Sequence, residues 1–206
     1  ANTVGGANIM IGSNSGRGNT TESNNVYIGH ESGNSATTAE GSVFVGYQSG
    51  RVNTGTLNTF VGYQSGLVNT TSIGNSFFGT SSGAANTTAN GNSFFGALTG
   101  IVSTGVLNSF FGSGTGVGNT TGASNVFVGA GAGAANVTGS SNTFLGQQSG
   151  YNALVENSVF IGFSSGRETT GANNTFIGYR SGLTNTTGAL NTFIGNLSGT
   201  ANTTGL

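Results

Sequence analysis

Twelve times along this chain two apolar residues are closed by a glycine, at Gly12, Gly29, Gly46, Gly62, Gly79, Gly96, Gly112, Gly129, Gly146, Gly162, Gly178 and Gly195. The intervals between these anchors are 17, 17, 16, 17, 17, 16, 17, 17, 16, 16 and 17 residues. A period this short, held in phase throughout, belongs to solenoids in which one repeat makes one turn. Such a pattern stacks like groups in rows, whereas a catalytic site brings unlike groups together once. The first nine intervals group in threes as 17, 17 and 16, as if a three-coil unit had been duplicated.

Each column of the repeat carries its own physics. Two positions before the anchor stand Met10, Tyr27 and then Phe44, Phe60, Phe77, Phe94, Phe110, Phe127, Phe144, Phe160, Phe176 and Phe193, the expected core row. One position before it stand only Ile, Val, Leu or Phe. Neighbouring side chains on an extended segment point to opposite faces, so a strand such as Thr175-Phe176-Ile177 must be covered on both sides. A second glycine follows every anchor by four residues, from Gly16 to Gly199. Two fixed glycines per turn mark corners where φ is positive or successive coils approach closely. The stretch beyond them, typified by Leu183-Thr184-Asn185-Thr186-Thr187, is rich in residues favoured in strands, which predicts a second, polar strand in each coil. Asn recurs four residues before the anchor in ten of twelve coils, and Thr eight residues after it in ten of twelve; stacked amides are expected to bond one above another as a ladder. No window has the apolar spacing of a helix.

The fold class predicted is therefore all-β, an elongated β-solenoid or parallel β-roll of twelve coils, about 55 Å long at the usual strand spacing. Residues 1–206 read as a single repeat array. ANTVGGA at the start resembles the tail of a preceding repeat and NTTGL at the end a repeat cut short, so a window on a longer array is expected. No signal peptide opens it, and no apolar run approaches the length of a membrane span.

Charge narrows the function. Only 4 % of residues are charged, with 4 basic and 5 acidic side chains, and the net charge is -1; ordinary soluble surfaces carry several times more. That balance removes the electrostatic case for nucleic acid or an acidic membrane. There is no Cys and no Asp, which excludes a disulfide framework, thiolate metal sites and the acidic turns of calcium-binding β-rolls. His30 beside Glu31 reads as a solvated corner, because its column elsewhere holds Tyr, Ser, Ala, Thr and Gln. No catalytic residue, cofactor or metal is expected, and the glycine-rich stretch Gly129 to Gly133 has no following helix to make it a phosphate loop.

Seven N-x-T sequons share the column seven residues after the anchor: Asn19, Asn69, Asn86, Asn119, Asn136, Asn185 and Asn202, with Asn196 (N-L-S) off column. They read either as turn and strand-edge residues or as a row of glycan acceptors that replaces the missing charge. In the second case Asn185 and Thr187 point outward and Thr186 inward, with the Thr column as second candidate. The Thr rows also suggest an ice-binding face, but Thr-Thr on a strand places its two hydroxyls on opposite sides.

Residues Asn157 to Gly162 read NSVFIG, which resembles the NSVAIG signature of YadA-like head repeats in trimeric autotransporter adhesins. NTFIG, SG and NTTG are similar to arrays in bacterial surface and tail-fibre-type proteins, and the likeness extends through all twelve copies. The resemblance implies a β-roll at the cell surface, three chains side by side, Val159 and Ile161 facing the roll interior and Gly162 at the turn. Phe160 departs from the signature's Ala. The function expected is a non-catalytic extracellular fibre or adhesin stalk, with the chain itself as partner in a homotrimer or a helical or paired fibre, and covalent glycans attached. The alternative is a module that binds a glycan or receptor, or less readily ice, through the polar strand.

Overall fold

The computed structural model describes residues 4–205. All described secondary structure is strand, one strand of three residues per repeat, each ending at the residue before an anchor glycine. The chain divides into two units, Ala1–Thr104 and Gly105–Leu206. The first holds β1 (Ile9–Ile11), β2 (Val26–Ile28), β3 (Val43–Val45), β4 (Thr59–Val61), β5 (Ser76–Phe78) and β6 (Ser93–Phe95). The second holds β7 (Ser109–Phe111), β8 (Val126–Val128), β9 (Thr143–Leu145), β10 (Val159–Ile161), β11 (Thr175–Ile177) and β12 (Thr192–Ile194). Within each unit consecutive strands pair in parallel and in repeat register, Phe44 with Phe60 and Phe144 with Phe160. Each unit is a β-solenoid, as the anchor phase predicts.

The register decides the core. Tyr27 and the nine phenylalanines from Phe44 to Phe176 are fully buried, and in each unit their rings stack at centroid separations of 4.7–5.1 Å with interplanar angles of 14° or less. Phe193, in the last coil, is half-buried. Tyr27 fits the column because its hydroxyl donates to the Ala39 carbonyl at 3.3 Å; burial pushes its phenol above the ordinary value of 10.0. Val159 and Ile161 flank the buried Phe160 and are themselves half-exposed. The sidedness implied by the adhesin resemblance is thus reversed: the ring enters the interior and its aliphatic neighbours line the outer face. Gly162 does make the turn, at φ 127°.

The two glycine columns have different duties. An anchor has φ near 130°, and a Cβ on Gly129 would meet the Gly146 carbonyl oxygen at 2.5 Å; within a unit, corner lies directly on corner. At the second glycine the obstacle is the coil's own ring, 2.6 Å from a Cβ placed on Gly66. The corners need two more left-handed residues, two after the anchor and five before it. These columns hold Glu31, Gln48, Leu98 and Arg180, and Asn24, Leu57, Leu107 and Leu190, at φ 51–64°. Gly114 and Gly131 stand in the first of these columns and Gly41, Gly74 and Gly91 in the second, the residues the geometry prefers.

Among the described residues the expected polar strand is absent. Thr186 and Thr187 are both exposed and lie outside any strand, because a coil this small spends those residues on turning. The hydroxyl of the first threonine bonds instead to the next coil, as Thr70 Oγ1 does to the Thr87 carbonyl at 3.0 Å and Thr186 Oγ1 to the Thr203 carbonyl at 3.0 Å.

Phe144→Ala, which removes a ring stacked on both sides, should cost about 3–5 kcal/mol in denaturant unfolding. Leu190→Gly should raise stability by about 1 kcal/mol, because its φ is 59° and its side chain is 70 % exposed, so relief of left-handed strain outweighs lost packing.

Candidate functional site

The polar chemistry of each unit lies inside it. Four residues before the anchor, the asparagines from Asn25 to Asn174 are fully or almost fully buried, and apart from Asn25, whose amide nitrogen has no partner, they share two tasks. The side-chain oxygen accepts the backbone N–H of its counterpart in the following coil: Asn75 Oδ1 takes Asn92 N–H at 2.8 Å and Asn108 Oδ1 takes Asn125 N–H at 2.9 Å. The amide nitrogen donates to that coil's turn carbonyl, Asn75 Nδ2 to Ala89 at 2.9 Å and Asn108 Nδ2 to Gly122 at 2.8 Å. The expected amide-on-amide ladder is in this column chiefly a side-chain-to-backbone clamp, with one amide-on-amide bond beside it, Asn142 Nδ2 to Asn125 Oδ1 at 3.2 Å. Ser42 and Ser158 replace Asn in two coils and keep half of it, their hydroxyls accepting Asn58 and Asn174 N–H at 3.2 Å.

The small residue three after the anchor makes a second clamp. Ser32 Oγ donates to the Phe44 carbonyl at 2.8 Å, Ser149 Oγ to Phe160 at 2.9 Å and Ser165 Oγ to Phe176 at 3.1 Å. Each hydroxyl satisfies the carbonyl of a stacked phenylalanine in the following coil.

The sequon column also points inward, against the outward orientation expected of glycan acceptors. Asn19, Asn69, Asn86, Asn119, Asn136 and Asn185 have no exposed surface, and Asn202 is half-buried. An amide with no solvent access has no room for a sugar in the folded chain, so these residues are interior fillers. Here an amide ladder does form: Asn53 Nδ2 donates to Asn69 Oδ1, and Asn69 Nδ2 to Asn86 Oδ1 at 3.2 Å. Asn136 instead bonds within its coil, to Gly139. Ala36 and Ala153 in the same column show that filling, not amide chemistry, is the common requirement. Asn196, off the column, is exposed.

Three kinds of row face outward. The outer face of the sheets carries the strand's first and third residues. Where the third is Phe, at Phe78, Phe95 and Phe111, the first is Ser, at Ser76, Ser93 and Ser109. Elsewhere Ile, Val or Thr pairs with Ile, Val or Leu, so bulk is shared between the two columns. No charged side chain stands in either.

A second row lies just past the anchor in the first unit, where His30 stacks on Tyr47 at 5.5 Å and Tyr47 on Tyr63 at 5.0 Å. Beside it Gln64 Nε2 donates to Gln48 Oε1 at 3.0 Å, Gln48 Nε2 donates to Glu31 Oε2 at 2.8 Å, and Arg51 pairs with Glu31 at 3.4 Å. The ring faces cover one another, so the row presents edges. His30 and Glu31 belong to this surface stack, whose other members are all non-acidic.

The third row is the pair of threonine columns eight and nine residues after the anchor. Both face solvent: Thr87 with Thr88 and Thr186 with Thr187 are exposed. The objection that adjacent threonines point oppositely therefore falls. The second column is still interrupted, because the 16-residue coils lack it, as at Thr54-Gly55, Thr104-Gly105 and Thr170-Gly171.

Among the described residues there is no group of three or more His, Cys, Asp or Glu placed to hold a metal, and no helix long and apolar enough to cross a membrane. Comparison with protein-family models, curated proteins and solved structures found no match to this chain.

Asn75→Ala strands two buried backbone groups, Asn92 N–H and Ala89 C=O, and should cost about 2–4 kcal/mol in chemical denaturation. Asn75→Ser, which restores the acceptor as Ser42 does, should recover about half of that loss.

Proposed function

We propose that this chain is a structural segment of an extracellular fibre or surface-adhesin stalk, non-catalytic, whose copies associate through the outer faces of their sheets. The observation that carries the reading is how the polar groups are used: inside each unit, Asn and Ser side chains are committed to the next coil's backbone. Groups consumed in holding coil to coil are not available to bind or transform a substrate. What remains outside is repetitive.

The outer sheet face supports self-association. It is apolar and uncharged, so a charged partner surface would lose hydration on it without gaining an ion pair. Ser beside Phe and Thr or Val beside smaller aliphatics keep its combined bulk level, which suits a second flat face of the same kind. An exposed apolar row repeated coil after coil is the kind of patch that marks an interaction surface. Three copies side by side is the arrangement the adhesin resemblance favours, and a paired or helical fibre meets the same requirement.

At micromolar concentration the chain should scatter light as an assembly. Val45→Asp with Phe78→Glu should dissociate it, because two buried carboxylates would face an apolar partner. The circular dichroism of the dissociated variant should match that of the assembly. A stable, folded monomer of the unaltered sequence under those conditions would overturn self-association, and native material imaged as isolated compact particles would overturn the fibre.

A further inference from the structure

The 17-residue coils differ from the 16-residue coils by one residue, nine after the anchor, and in all seven it is threonine: Thr21, Thr38, Thr71, Thr88, Thr121, Thr138 and Thr187. The shorter coil does not need it. There Thr54 and Gly55 both donate their N–H to the Thr70 carbonyl, at 2.7 and 2.9 Å, and Thr170 and Gly171 both donate to Thr186, at 2.6 and 3.1 Å. The stack closes with one residue fewer.

The extra threonine adds little to the fold. All seven are exposed. Thr21 Oγ1 donates to its neighbour Glu22 at 3.1 Å and Thr38 Oγ1 to the Thr54 carbonyl at 2.6 Å, whereas among the described residues the hydroxyls of Thr71, Thr88, Thr121, Thr138 and Thr187 have no hydrogen-bond partner. The backbone N–H groups of Thr71, Thr88, Thr121 and Thr138 donate to no backbone carbonyl. In the preceding threonine column most hydroxyls are spent on the next coil: Thr54 on Thr70 at 3.1 Å, Thr70 on Thr87 at 3.0 Å, Thr120 on Val137 at 3.0 Å and Thr170 on Thr186 at 3.0 Å. A sequon does not explain the choice of residue either. Thr38 follows Ala36, and the sequon asparagines are buried.

A position that is inserted, exposed, largely unbonded and yet Thr every time is held for its hydroxyl. We infer that these threonines are acceptors for O-linked sugars. The reaction is a glycosyl transfer from a nucleotide- or lipid-diphosphate sugar supplied with its own transferase. Threonine Oγ1 attacks the anomeric carbon, the bond from that carbon to the diphosphate oxygen breaks, the diphosphate leaves with the electron pair, and the hydroxyl proton passes to the transferase base. Two features of this chain suit the product. With 4 % charged residues and no lysine, the surface needs another hydrophilic coat. The acceptors also come in pairs of neighbouring coils, Thr71 with Thr88 and Thr121 with Thr138, before a shorter coil omits one. Coils stack about 4.8 Å apart, so the shorter coil after each pair keeps an unbroken row of sugars from building up.

The inference shares with the fibre reading only a surface setting, and the tests separate the two, since light scattering reports assembly whether or not sugar is attached. Chymotryptic fragments of material from the native source, such as residues 112–127, should carry sugar mass that electron-transfer fragmentation places on Thr121 and not on Thr120 or Asn119. Bare fragments, phosphate increments, or sugar confined to the asparagines would overturn it. In unmodified recombinant chain, Thr121→Val and deletion of Thr121, which leaves the Thr-Gly wording of the shorter coils, should shift Tm by no more than about 2 °C. A larger loss in both would show that the residue is held for the fold, and would likewise overturn it.

Discussion

A coil of sixteen or seventeen residues cannot satisfy its own backbone. Its strand is three residues long and its corners close only single turn bonds, such as Asn53 N–H to the Gly50 carbonyl at 3.0 Å, so most of its other N–H and C=O groups must find partners in the coils on either side. Everything else follows from keeping those neighbours close enough and in register. The anchor glycines bring corner onto corner where a Cβ would strike the next coil's carbonyl. The stacked rings fill the space that a fixed spacing leaves. The asparagine and serine columns reach the backbone groups that the short strands cannot.

The clamp explains why so polar a chain holds together around so small an apolar core. A buried amide is costly unless its groups are paired, and in the column four before the anchor Asn58, Asn75, Asn108, Asn125, Asn142 and Asn174 meet that condition with an acceptor and a donor bond each. The natural exchange of Asn for Ser at Ser42 and Ser158 shows which half is indispensable. The retained bond is the one to the next coil's N–H, and an unpaired buried N–H is the rarest defect of native proteins.

The repeat phase, the all-β class and the inward phenylalanine row are legible because they rest on spacing and bulk alone, which neighbouring coils repeat faithfully. Orientation beyond the strand is not. The rule that side chains alternate holds for Thr175-Phe176-Ile177 but lapses at the corner, so carrying it forward to Asn185 and Thr187 assigns the amide to the wrong side. Threonine's preference for strands misleads for the same reason, since Thr186 and Thr187 stand where the chain bends outward. Two left-handed columns were also readable. Gly74 and Leu57, or Gly114 and Leu98, occupy equivalent positions, and glycine alternating with unrelated residues signals backbone rather than side-chain demand. The buried sequons show how a motif read as surface chemistry can be filling.

The clamps all reach one way. Asn75 extends to Asn92 and Ala89, Ser149 to Phe160, and Thr120 to Val137, in each case toward the coil that follows in the chain. A finished coil therefore exposes a row of poised donors and acceptors to the segment not yet laid down, while the backbone it offers backward is already engaged. Assembly of such a chain has a direction. Each turn is the mould for its successor, and a polypeptide emerging amino end first, from a ribosome or through a secretion pore, meets its template in the order in which it arrives.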